Sequence, residues 1–163
     1  MTDIEREVLE VLAKLKIPYI RHEHPAVFTV GEAEKYWGDL RGAHCKNLFL
    51  RNNRGTCHYL VIAEAFRRVD LKALTSKLNE DRLSFASPRR LMKYLGLEPG
   101  SVSPFGLIHD TGREVRIVVD VELRSSAEVN FHPNTNTSTL GLSFVDFERF
   151  LVWCGNPVEF IHL

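Results

Sequence analysis

The sequence predicts a mixed α/β fold in which strands outnumber helices. Two patterns alternate along the chain: apolar residues at helical spacing, and short apolar runs bounded by turn-forming residues. The length of 163 residues suits one core, so we expect a single domain over residues 1–163. These patterns alone do not decide the order of the strands.

The amino-terminal part predicts two helices separated by an extended segment. The apolar residues on one face of the first helix are Ile4, Val8, Val11, Leu12 and Leu15. Pro18 ends this helix, and residues 19–23 are then extended. A capping box of Thr29 and Glu32 begins a second helix that runs toward Tyr36.

Two hairpins are predicted further along. Residues 46–51 and 57–63 are strand-like, and an Asn-Asn-Arg-Gly turn separates them. Residues 107–109 and 115–120 have the same character, with Asp-Thr-Gly-Arg between them. Both pairs are therefore expected to be antiparallel.

Side-chain caps predict the two helices between these hairpins. Asp70 caps a helix that continues through Leu78. Ser87 caps another, Pro88 occupies its first position, and Gly96 ends it.

The carboxyl-terminal part predicts three strands and a helix. Residues 128–132 and 137–142 are strand candidates. Ser143 caps a helix that ends at about Cys154, and residues 158–161 form a final strand.

Composition excludes several classes of protein. The formal net charge is zero, so no general attraction to DNA or RNA is expected, and any RNA contact must use a local patch. No apolar run approaches the roughly 20 residues that span a bilayer. Three widely spaced cysteines indicate reduced thiols, which favours a cytoplasmic protein.

Three polar segments, residues 42–50, 100–104 and 130–137, interrupt the apolar sequence. The hydrolase signatures G-x-S-x-G and HExxH and the P-loop are missing from the chain. In this order and spacing, the three segments resemble the YbaK and prolyl-tRNA synthetase-associated editing-domain family. The resemblance extends from residues 24–30 to the last helix.

The resemblance implies a curved, barrel-like mixed sheet surrounded by helices. It also implies an enzyme that hydrolyses the ester of mischarged tRNA(Pro) in trans, at the 3′ acceptor end and without a cofactor or metal. Similarity is highest to the alanine-clearing branch, notably over residues 83–109 and 129–137. Prolyl-tRNA synthetase is an implied protein partner.

Lys46 and Asn47 lie at the start of a predicted strand. The resemblance places the lysine at the mouth of the active site, where it holds the acylated 3′ end, and Asn47 supports that site. A lysine is a mobile charge suited to a phosphate or an oxyanion. The alternative is a solvated lysine at a strand end.

The loop of Gly100, Ser101, Val102, Ser103 and Pro104 matches the G-x-x-x-P pattern of the family. Such a loop can present backbone groups to a carbonyl and a water molecule without any nucleophilic side chain. The alternative is a simple turn after the preceding helix.

His132 precedes a proline in an asparagine-rich stretch. The resemblance implies that it lines the pocket for the aminoacyl group. A histidine there could donate to the substrate carbonyl or orient water. The alternative is a structural histidine hydrogen-bonded to the backbone.

Other constellations carry weaker signals. Cys45 beside His44 suggests a thiol nucleophile, but neighbouring strand residues point to opposite faces, so a passive cysteine is expected. Most of the large aromatic residues, namely Trp37, Trp153 and the ten phenylalanines, are expected in the core. A zinc site is not expected, because the spacing fits no standard pattern in the candidate ligands His22, His24, Cys57 and His58.

Two basic groups are candidates for contact with tRNA phosphates, or else ordinary solvated faces. The first comprises Arg82, Arg89, Arg90 and Lys93. The second comprises Arg67, Arg68, Lys72 and Lys77.

Three functions therefore remain open from the sequence. The first is hydrolysis of alanyl-tRNA(Pro), for which a second site is needed because one methylene gives only about 1–3 kcal/mol of discrimination. The second is deacylation of cysteinyl-tRNA(Pro) or another aminoacyl-tRNA. The third is a non-catalytic module that binds tRNA or a synthetase.

Overall fold

The computed structural model describes residues 1–38 and 40–163 and has the predicted mixed α/β fold. The helices are α1 (Asp3–Lys14), α2 (Val30–Ala33), α3 (Leu71–Lys77), α4 (Pro88–Leu95) and α5 (Phe144–Cys154). The strands are β1 (Ile20–Glu23), β2 (Ala43–Asn52), β3 (His58–Glu64), β4 (Leu83–Phe85), β5 (Val115–Asp120), β6 (Glu128–Phe131), β7 (Ser138–Ser143) and β8 (Val158–Ile161). Three 3-10 helices cover Glu34–Tyr36, Pro104–His109 and Val121–Ser125.

The strands form one mixed sheet in the order β1-β7-β6-β2-β3-β5-β8, with β4 added beside β2. The β2–β6, β3–β5 and β5–β8 pairs are parallel, and the other pairs are antiparallel. Strand β2 is the central element, because it pairs with β6 at its start, with β3 along most of its length and with β4 at its end.

Gly42 permits the close approach of β2 to β6. Its φ angle is +85°, and a Cβ atom there would lie 2.3 Å from the carbonyl oxygen of Glu128. Any side chain would therefore force the two strands apart.

The core lies on both faces of β3. Leu60 and Ile62 join the larger apolar cluster, which receives the buried faces of α1, α4 and α5. Tyr59 and Val61 point to the opposite face, against Leu74 of α3. Because successive strand residues alternate between faces, this run of buried residues indicates a strand covered on both sides.

The predicted caps are confirmed. Glu32 donates its backbone N–H to the Thr29 hydroxyl, and Ala73 does the same to the Asp70 carboxylate. Gly96 ends α4 in the left-handed conformation, as expected for a glycine after a helix. The caps of α4 and α5 come from Ser87 and Ser143.

The second predicted hairpin is wrong. Residues 107–109 belong to a 3-10 helix, and β5 pairs in parallel with β3 and β8. The Asp110 carboxylate accepts hydrogen bonds from the backbone N–H groups of Glu114 and Val115 and from the side-chain amide of Asn156. These bonds close the turn without strand pairing.

Within the described residues, no helix is long and apolar enough to cross a membrane. The three cysteines are free thiols.

Candidate active site

A pocket of about 230 Å³ opens beside the start of β2. Four parts of the chain form it: β2, the loop after α4, the loop after β6, and the segment around α2. The structure thereby brings together five of the eight predicted site residues. These five are Lys46, Asn47, Gly100, Val102 and His132.

Strand β2 supplies the predicted lysine and asparagine. Lys46 is partly buried, and no carboxylate in the described part of the chain lies within ion-pair distance of it. Asn47 Nδ2 donates a 3.3 Å hydrogen bond to the carbonyl oxygen of Val102, which ties the strand to the loop. Asn47 Oδ1 is buried and has no partner among the residues described.

The loop after α4 has two distinct parts. Gly100, at φ +89°, and Val102 line the pocket, and a Cβ atom at Gly100 would lie 3.0 Å from a ring carbon of Phe28. Ser103 and Pro104 are buried and begin the following 3-10 helix, with the Ser103 hydroxyl accepting from a backbone N–H.

Ser101 also lies outside the pocket lining, so it, Ser103 and Pro104 are close to the site in sequence but not part of its wall. Ser101 donates its backbone N–H to the carbonyl oxygen of Glu98 and so tightens the turn. Val102 donates its N–H to no backbone carbonyl in the described part of the chain.

His132 lines the pocket from the loop after β6. Its Nδ1 lies 2.9 Å from the carbonyl oxygen of Ser138, and because a carbonyl can only accept, Nδ1 carries the hydrogen. Burial lowers the pKa of His132 below its usual value, more than that hydrogen bond raises it. The ring is therefore neutral at pH 7, with Nε2 as a hydrogen-bond acceptor.

The segment around α2 forms a wall that sequence analysis did not assign to the site. Val27, Phe28, Val30 and Ala33 give it an apolar surface, and Phe28 is 68% exposed. Trp37, predicted to be core, lines the pocket instead. The family resemblance begins at residues 24–30 and the capping box predicts a helix there, but neither indicates that this segment faces the pocket.

The Cys45–His44 pair has no features of a catalytic dyad. Burial raises the pKa of the Cys45 thiol to about 12, so the thiol stays protonated. His44 stacks on Trp37 with ring centroids 4.1 Å apart. Over residues 1–38 and 40–163, no group of three or more metal-binding side chains is found.

The two basic groups differ in what surrounds them. Arg67 pairs with Asp120 and Glu122, so the second group is partly neutralised. In the first group, the hydrogen bonds of Arg90 within residues 1–38 and 40–163 go to neutral acceptors: the carbonyl oxygen of Gly55 and Nε2 of His58.

The family model described as aminoacyl-tRNA editing domain matches residues 24–150. This match covers more than half of the chain and confirms the resemblance that the three polar segments predicted.

Two curated relatives match nearly the whole chain. One is the prolyl-tRNA editing protein ProX of Acetoanaerobium sticklandii, 42% identical over 99% of this chain and 98% of its own length. The other is the prolyl-tRNA synthetase associated domain-containing protein 1 of Xenopus laevis, 36% identical over 98% of this chain and 97% of its own.

A solved structure described as a candidate trans-editing enzyme for prolyl-tRNA synthetase has a similar fold. The TM-score is 0.74 at 23% identity, over 100% of this chain and 99% of the other. This likeness confirms the mixed α/β editing-domain fold.

Proposed function

The chain belongs to the aminoacyl-tRNA editing domain family, and we propose that it is a trans-acting deacylase that hydrolyses mischarged tRNA(Pro), with alanyl-tRNA(Pro) as its substrate. The observation that carries this proposal is that Lys46, Gly100, Val102 and His132 line one pocket. The similarity to a prolyl-tRNA editing protein over nearly the whole chain supports the substrate class.

The reaction needs little from the protein. Water attacks the carbonyl carbon of the aminoacyl ester, the bond to the ribose oxygen breaks, and the products are a free amino acid and a tRNA with a free hydroxyl. Because an aminoacyl ester is already activated, positioning of water and stabilisation of the oxyanion can suffice.

Lys46 and the loop supply positive charge and donors in this proposal. Lys46 binds the 3′ terminus, where its charge is not consumed by a neighbouring carboxylate among the described residues. The N–H of Val102 is directed to the carbonyl oxygen as negative charge develops there. Asn47 holds the loop against β2 through its bond to Val102.

His132 acts as an acceptor rather than as a donor. Its hydrogen is committed to Ser138, and its lowered pKa disfavours a second proton. Nε2 therefore orients the attacking water by accepting a hydrogen bond. Of the two roles the sequence left open, this geometry favours the second.

Pocket shape provides the selection between amino acids. Val27, Val30 and Ala33 offer an apolar wall to a small side chain in a pocket of about 230 Å³. A synthetase pocket built for proline cannot strongly reject a smaller apolar residue, since one methylene gives about 1–3 kcal/mol. A site that admits alanine and excludes proline corrects the error.

The remainder of the tRNA contacts the first basic group, around α4. The ion pairs of Arg67 with Asp120 and Glu122 reduce the charge that the second group can offer. In this proposal the protein acts in the cytoplasm, where charged tRNA is used, and prolyl-tRNA synthetase is its protein partner. The proposal requires no cofactor.

The test is deacylation of alanyl-tRNA(Pro), prolyl-tRNA(Pro) and cysteinyl-tRNA(Pro) by the wild type, Lys46→Ala and the control Lys72→Ala. We expect selective loss of the alanyl ester, a fall in kcat/KM of about 100-fold in Lys46→Ala, and wild-type rates in Lys72→Ala, since Lys72 lies exposed on α3.

Cleavage of the cysteinyl ester alone would keep the chemistry and overturn the substrate. Binding of tRNA without cleavage of any ester would overturn the enzyme and favour a binding module.

A further inference from the structure

A buried carboxylate lies in the first turn of α1, where an exposed residue is usual. Glu5 is only 1% exposed. Its Oε1 accepts a 2.6 Å hydrogen bond from Arg21 Nε and a 2.8 Å hydrogen bond from the Ser138 hydroxyl. The contacts join α1 and the neighbouring strand β1 to β7, which is distant in sequence.

This carboxylate remains charged in the folded protein. Burial alone would raise the pKa of Glu5, but hydrogen bonds from Arg21 and Ser138 and the charge of Arg21 outweigh it, and the pKa is lowered. A buried ion pair contributes little net stability compared with an apolar residue of similar volume. Packing of α1 therefore does not by itself explain a charge at this position.

Ser138 connects Glu5 to the pocket. It is fully buried and is the first residue of β7, directly after the loop that His132 begins. Its hydroxyl donates to Glu5, while its carbonyl oxygen accepts from His132 Nδ1 at 2.9 Å. Ser138, whose carbonyl oxygen keeps the hydrogen of His132 on Nδ1, is thus itself hydrogen-bonded to Glu5 of α1.

We propose that Glu5 is a positioning residue for His132, acting through Ser138 and balanced by Arg21. The network fixes the carbonyl of Ser138, that carbonyl fixes the Nδ1–H tautomer, and the tautomer leaves Nε2 as an acceptor in the pocket. This inference rests on the proposed function for its kinetic consequence, but the tautomer can be observed without any reaction.

The experiment compares Ser138→Ala and Glu5→Gln with the control Glu7→Gln. Glu7 is on the same helix, and its carboxylate lies 2.8 Å from His109 Nε2, so this control removes an α1 contact without touching Ser138. Two quantities are measured in each folded protein: the tautomer and pKa of His132 by ¹⁵N NMR, and kcat and KM for alanyl-tRNA(Pro).

In Ser138→Ala the carbonyl remains and is still held by the pairing of β7 with β1, but it loses the hydroxyl link to Glu5. We expect a smaller Nδ1–H fraction and a further lowering of the pKa of His132, because the bond to Ser138 raises that pKa. We also expect kcat to fall roughly 10-fold with little change in KM, because a displaced Nε2 positions the attacking water less well. Ser138→Thr, which keeps a hydroxyl, should restore both quantities.

A purely structural network would give a different result. Ser138→Ala and Glu5→Gln would then lower the melting temperature while the tautomer, the pKa of His132 and kcat stayed at wild-type values, and the proposal would be overturned. If no variant, including the wild type, hydrolyses any ester, the proposed function fails, yet the NMR measurement still decides the role of Glu5.

Discussion

Two regions of the molecule each hold a partly or fully buried neutral histidine, and they use it in opposite ways. In the pocket, His132 donates through Nδ1 to a backbone carbonyl and keeps Nε2 as an acceptor. At the seam between β3 and α4, His58 accepts from Arg90 through Nε2 at 3.0 Å and packs between Phe49 and Tyr94.

Burial lowers the pKa of both histidines, so a low pKa alone does not distinguish the histidine for which we propose a function. For His58 the charges of Arg90, Arg51 and Lys93 add to burial and lower the pKa to about 4. The difference lies in the second ring nitrogen. In His132, a residue of the pocket wall, Nε2 is the nitrogen left to accept a hydrogen bond. In His58, Nε2 already accepts from Arg90, which holds α4 against the sheet.

The largest expected effect follows from removing that nitrogen in the pocket. His132→Asn can still donate an amide hydrogen to Ser138 but has no group at the Nε2 position. We expect kcat for alanyl-tRNA(Pro) to fall about 100- to 1,000-fold, with the free energy of unfolding within about 1 kcal/mol of wild type. Single-turnover deacylation and urea unfolding measure the two quantities.

The pH dependence gives a second check on His132. Because the neutral ring is the active form, kcat should be constant near pH 7 and fall only as the pH drops through the lowered pKa of His132, below 6.5. An active His132→Asn variant, or a rate that rises in acid, would contradict the acceptor role.

His58 should instead control acid stability. The unfolded chain takes up a proton on this histidine below about pH 6.5, while the folded protein does so only near pH 4, so stability falls with pH across that window. The loss is up to about 3 kcal/mol, at about 1.4 kcal/mol per pKa unit.

The matched variant for this prediction is His58→Gln, whose side-chain oxygen can still accept from Arg90. Urea unfolding at pH 7 and pH 4.5 should show a smaller acid loss in His58→Gln than in the wild type, with kcat unchanged at pH 7. Equal losses in the two proteins would remove His58 from the explanation.

The sequence predicts features that depend on neighbouring residues and misses those that depend on residues distant in the chain. Caps at Thr29, Ser87 and Ser143 were predictable because each acts on a backbone N–H within three residues. The short strand β4 and the parallel pairing of Tyr59 with Arg116 were not, because they depend on partners distant in sequence.

The site divides in the same way. Lys46, the glycine loop and His132 could be predicted as site residues because a family resemblance marks them in the sequence. The position of Phe28 in the pocket wall and the link from Glu5 to Ser138 could not be predicted from local sequence, since both arise only when α1 and α2 pack beside β7 and β2. Ser103 and Pro104 match the motif, yet the structure places them behind the pocket.

The smallest expected effect follows from removing one positive charge at the start of α4. Arg89 is exposed there, in the basic group that we expect to contact tRNA phosphates. Arg89→Ala should raise KM for alanyl-tRNA(Pro) about threefold at low salt and reduce the slope of log KM against log salt by about one, with kcat unchanged.

The control is Arg68→Ala, which removes an exposed arginine of the second basic group and should change neither KM nor its salt dependence. Phosphate contacts position the RNA without taking part in the reaction. A change in kcat would therefore contradict the assignment of Arg89 to phosphate binding alone. An equal effect of Arg68→Ala on KM would show that the ion pairs of Arg67 do not remove the second group from the RNA surface.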